Sequence, residues 1–99
     1  MIDELKANQD ISRGAQAQTL LDNDLLKGAF AQLEAAYIER WRATHIEDDK
    51  GREKLFIAVN VVGKVREHLV GIVSNGKIAA KLLDDLAKEA ERKKLLGII

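Results

Sequence analysis

Residues 51–73 read GREKLFIAVNVVGKVREHLVGIV, more than twenty residues that contain neither proline nor a turn signal. A β-strand of that length would be several times longer than strands usually are. Wound as a helix, the same residues place Leu55, Val59, Val62, Leu69 and Val73 on one seam, with Ala58, Val61, Val65 and Ile72 beside it. Glu53, Asn60, Lys64, Glu67 and Ser74 then fall opposite. The spacing predicts a helix, although its valines and isoleucines weakly disfavour one.

That helix is apolar over a wide arc. At 100° per residue its apolar side chains cover roughly 200°, about twice the stripe of an ordinary surface helix. One neighbouring helix cannot cover so much. The second flank has to meet either the last helix folding back or another chain, and a chain of 11 kDa leaves little core of its own, which tilts the reading toward another chain.

Punctuation along the chain sets the expected order of elements. Residues 1–11 are mixed and polar and are expected to be flexible. A single helical domain is expected over 12–96, with helices near 12–21, 24–44, 50–74 and 77–96, and a tail at 97–99. Ser12 or Asp10 is a possible first cap, Gly14 weakens the first helix, and Asn23 is a plausible N-cap for the second. The second helix carries Leu26, Phe30, Leu33, Tyr37, Trp41 and Thr44 on one side. HIEDDKG then forms a charged loop in which Asp48 or Asp49 can cap the third helix. Asn75 and Gly76 are expected to end that helix by entering the left-handed region. The last helix turns Ile78, Leu82, Leu83, Leu86 and Ala90 inward, and LLGII closes the chain as an apolar tail.

The resulting expectation is an all-α fold: a long antiparallel hairpin with a short N-terminal helix and a C-terminal helix, oligomeric in solution. With the loop centred near Glu47, the hairpin register brings Phe30 to Arg66, Tyr37 to Val59, and Leu33 to Gly63, whose missing side chain would accept it. Val62, Val65, Leu69 and Ile72 form the core or oligomer seam.

Charge separates the two halves. Residues 1–50 hold ten acids and six bases and residues 51–99 six acids and ten bases, although the formal total is zero. Opposite halves favour head-to-tail or antiparallel pairing, and chance in a short chain explains the split equally well. With no cysteine, disulfide scaffolds, thiol catalysis and thiolate zinc sites are excluded. The opening MIDELKANQDIS is acidic where a signal peptide is basic, and no apolar run reaches the roughly 20 residues of a membrane span. A cytosolic location is expected, and no membrane partner.

Candidate binding residues are Arg40, Trp41, Arg42, Arg66, Lys81, Lys88 and Arg92. Arg40 and Arg66 project into apolar helix sides, where a guanidinium needs a carboxylate, an aromatic face or a partner, unless it snorkels to the edge of the core. Trp41 mixes with two arginines as in protein or nucleic-acid hot spots, but its helical spacing from Tyr37 and Thr44 also suits a core role. Lys77, Lys81, Lys88 and Arg92 line one side of the last helix and can reach phosphates, yet Asp84, Asp85, Glu89 and Glu91 interrupt them as on any salt-laced helix. His45 and His68 are too isolated for a metal pair. No catalytic motif is present, and no cofactor is expected.

The run AQTLLDNDLLKGAFAQLEAAYIERW, then GREKLFIAVNVVGKVREHL, then NGKIAAKLL resembles short helical proteins of tailed bacteriophages over about residues 12–86. The long hairpin is similar to the oligomerisation core of small terminase subunits. That resemblance implies a non-enzymatic, self-associating virion or DNA-packaging component located in the host cytoplasm or the virion, without the N-terminal helix-turn-helix that would read DNA. A small inhibitor or adaptor that binds a host protein is the alternative expectation.

Overall fold

Three side chains begin the three helices. Asp3 accepts a hydrogen bond from the Lys6 amide at 3.2 Å, Asn23 from the Leu26 amide at 2.9 Å, and Asp48 from the Gly51 amide at 2.9 Å. Each cap is followed by an acid in the first turn, Glu4, Asp24 or Asp49, where the helix dipole favours negative charge. In the computed structural model, which describes residues 3–97, the elements are α1 (Glu4–Asp22), α2 (Asp24–Arg42) and α3 (Asp49–Leu95). The described residues are all-helical, with no strand.

Two expected boundaries are displaced. Residues 4–11, read as flexible, form the start of α1, because Asp3 caps it in place of Asp10 or Ser12; Met1 and Ile2 lie outside the described residues. The stop expected at Asn75–Gly76 is absent, and the helices read as 50–74 and 77–96 are one helix of 47 residues. Gly76 is in the chain for a different reason: a Cβ there would lie 2.9 Å from the Asp10 carbonyl oxygen and 3.0 Å from the Gly14 Cα. Reciprocally, a Cβ on Gly14 would meet the Gly76 Cα at 3.0 Å and the Ile72 carbonyl oxygen at 3.3 Å. Two glycines therefore let the backbones of α1 and α3 touch. The left-handed residue sits further on, at Gly97, whose φ is 70° and whose amide donates to the Lys94 carbonyl at 3.1 Å. Within the apolar tail Ile98 and Ile99 lie outside the described residues.

At 1.5 Å per residue α3 alone is about 70 Å long. The molecule measures 76 × 26 × 18 Å, and its radius of gyration of 21.6 Å far exceeds the about 13 Å of a compact chain this size. α1 and α2 are laid along α3 and joined by Asn23 alone, which is extended (φ −71°, ψ 120°) and serves as C-cap of one helix and N-cap of the next. Contacts that ascend along α1 descend along α3: Ala7 and Asp10 share a groove with Asn75, Ala79 and Leu82, while Arg13 shares one with His68 and Ile72. Further along, Leu21, Leu26 and Phe30 share a recess with Arg66.

The core is a thread of small side chains. Ala7, Gly14 and Ala17 of α1 are buried, as are Val73, Gly76 and Ala79 of α3, whereas α2 buries none. Leu33 does not fill the space over Gly63: it is 44% exposed, and a Cβ on Gly63 would meet nothing within 4 Å. Because α3 never turns back, the fold-back cover for the outer flank of residues 53–74 is ruled out, and within the chain that flank stays open.

Candidate functional site

α3 presents two apolar lines rather than one. The first, Leu55, Val59, Val62, Arg66, Leu69, Val73, Gly76, Ala80 and Leu83, advances by alternating steps of four and three and faces α1 and α2. Steps of four and three keep a line on one side of a helix, as in a coiled-coil seam. Arg66 is the polar member of this line, and it is satisfied inside the chain: its guanidinium pairs with Glu34 at 2.9 Å and lies 5.3 Å from the centre of the Phe30 ring.

The second line lies around the helix from the first. Ile57, Val61 and Val65 follow one another at intervals of four, and so do Ile78, Leu82 and Leu86. At 100° per residue all six fall within an arc of about 140°. They are 53, 53, 47, 60, 43 and 38% exposed, so a single side of α3 holds two open apolar triplets. Between them lie His68, Gly71 and Asn75, all exposed, with Ile72 half-buried. Gly71 is helical, and a Cβ on it would meet nothing within 4 Å. Open apolar surface of this extent makes this side of α3 the candidate interaction face.

Of the sequence-derived seam residues, Val62, Leu69 and Ile72 are half-buried and Val65 is exposed. Val62 and Val65, three residues apart, thus serve different faces. The charged candidates are dispersed. Arg40 and Arg42 lie in the last turn of α2, where their charge complements the helix dipole, and Trp41 beside them is 48% exposed. Lys81, Lys88 and Arg92 lie about 40 Å or more along α3 from its Asp49 end, so the two basic groups do not converge.

At the far end, lysines pair with acids one turn away. Lys81 meets Asp85 at 3.5 Å, Lys88 meets Asp84 at 3.0 Å and Lys93 meets Glu89 at 3.4 Å. The hydrogen bond and charge of Asp84 raise the pKa of Lys88 above the ordinary lysine value, opposed by slight desolvation and aided weakly by Asp85. Among the described residues no group of three or more histidines or acids is placed to hold a metal ion, and no helix is long and apolar enough to cross a membrane.

The open triplets were missed by reading residues 50–74 and 77–96 as separate helices, because the phase of one then says nothing about the other; Ile78, Leu82 and Leu86, expected to face inward, are exposed. The signal was present in the letters: intervals of four on both sides of Gly76, falling within one arc of about 140° when the helix is unbroken. No protein-family model, curated protein or solved structure matches this chain.

Proposed function

We propose that the protein is a non-enzymatic assembly subunit that works by self-association through the open side of α3. The observation that carries this reading is the pair of apolar triplets on one unbroken helix, set against a core whose buried apolar side chains, among the described residues, are only Ala7, Ala17, Val73 and Ala79. So small a core stabilises a 76 Å rod weakly, and burial of the open side in an assembly supplies apolar contact that the chain alone lacks. A place among virion or DNA-packaging components rests on the phage resemblance of residues 12–86 alone.

Mass measurement in solution at tens of micromolar tests the reading, with an assembly larger than one chain as the expected result. Val65→Asp is expected to reduce that mass while leaving the helical signal intact, since Val65 faces outward. Val62→Asp is expected to lower the helical signal itself, by placing an unpaired charge on the inner line. A wild-type chain that remains monomeric at that concentration sinks self-association, and the open side then belongs to a different protein, as a small inhibitor or adaptor would use it.

A further inference from the structure

Taking self-association as given, we infer that its unit is a twofold pair in which α3 of one copy lies antiparallel on α3 of a second copy, with the axis passing between Gly71 and Ile72. The two triplets specify this centre. Ile57 and Leu86, Val61 and Leu82, and Val65 and Ile78 are all equidistant from the point midway between residues 71 and 72. Reversal about that point carries each triplet onto the other, so both copies satisfy their open sides in one contact. His68 and Asn75 are equidistant from the same point, which sets hydrogen-bonding side chains opposite each other where the apolar triplets are interrupted. A polar pair within an apolar seam fixes register.

Gly71 adds an independent reason. A glycine inside a helix weakens it, and within this chain nothing occupies the space where its side chain would be. The other close contact in the molecule, Gly14 against Gly76, uses missing side chains to bring backbones together. Gly71 at the axis provides the same approach between copies. Charge favours the antiparallel sense. It sets Lys54 level with Glu89 of the other copy, where parallel pairing sets Lys54 level with Lys54 and Glu89 with Glu89. With about half of each triplet side chain open, the pair hides on the order of 1,000 Å², the lower end of specific interfaces.

The chain has no cysteine, so single-cysteine variants take one spin label each. Distances between copies are read by pulsed electron resonance on full-length Lys54→Cys, Lys81→Cys and Lys88→Cys. At 1.5 Å per residue the antiparallel pair predicts about 50, 30 and 50 Å. Equal distances at all three positions in a dimer overturn the antiparallel arrangement and leave self-association standing, whereas a monomer overturns both. A label-free comparison accompanies this. Gly71→Ala is expected to weaken dimerisation at least tenfold and Gly63→Ala to leave it within twofold; equal dimerisation by the two variants overturns the placement of the axis.

Discussion

Replacing Gly76 by alanine sets two opposed effects against each other. An alanine in a helix interior is favoured over glycine by about 1 kcal/mol, so on helix propensity alone Gly76→Ala stabilises the chain. The added Cβ, however, would stand 2.9 Å from the Asp10 carbonyl oxygen and 3.0 Å from the Gly14 Cα, against an ordinary contact of about 3.5–4.0 Å. Both neighbours are backbone, so the contact is relieved only by moving α1 away from α3. That movement loosens the whole thread of small side chains at once, Ala7 and Ala17 against Val73 and Ala79. Forcing an extra methyl into such a contact costs about 1–3 kcal/mol. We expect a net loss of up to about 2 kcal/mol for Gly76→Ala. Gly63→Ala, where the same Cβ meets nothing, should gain about 0.5–1 kcal/mol. For a domain of this size the gap between the two variants corresponds to roughly 10 °C in Tm. Thermal and urea unfolding followed by circular dichroism, at one fixed protein concentration so that association contributes equally, measure it. If Gly76→Ala melts at or above the wild-type temperature, the backbones of α1 and α3 do not touch at residue 76 and the account of the core is wrong.

Three further outcomes are expected. Asp48→Ala removes the cap of α3, leaves the Gly51 amide without its partner, and should lower stability by about 1 kcal/mol in urea unfolding. Arg66→Lys keeps the charge but gives up the planar stack on Phe30, so a loss of about 0.5–1 kcal/mol is expected; a variant as stable as the parent would mean that the Glu34 ion pair alone matters. The Lys88 side chain, followed by NMR through alkaline pH, should lose its proton above the ordinary lysine range, and Asp84→Asn should lower that midpoint more than Asp85→Asn does. Its raised pKa has a definite sign: the pairing with Asp84 favours the folded helix while the ammonium keeps its proton, below the ordinary lysine value, and fades as pH rises through the elevated midpoint.

Helical character was legible beyond residue 11, because no proline interrupts the chain and apolar residues recur at intervals of three and four. Asp48 was readable as a cap because it precedes a long apolar period. Gly76 was misread for a physical reason: following asparagine, a glycine signals a left-handed stop just as well as it signals a place where another backbone comes close. Periodicity distinguishes the two. The line Leu69, Val73, Gly76, Ala80, Leu83 keeps its steps of four and three through Gly76, which a turn would have reset. The start of α1 was missed because Gly14 and the polar letters around it argue against a helix, while the burial of Ala7, Gly14 and Ala17 that argues for one depends on α3 being long enough to meet them. The open side of α3 could be anticipated as excess apolar arc over residues 53–74, but its second triplet became visible only with the helix unbroken.

Because every described buried residue belongs to α1 or to residues 73–79 of α3, close to the middle of that helix, the rod is gripped along α1 and not along α2. The Asp49 end of α3, where α2 rests on it, is tethered by the single residue Asn23 and the short link 43–48. Amide protons of α2 should therefore exchange with solvent through partial openings, long before those around residues 73–79, so the molecule comes apart like a clothes peg from its free jaws.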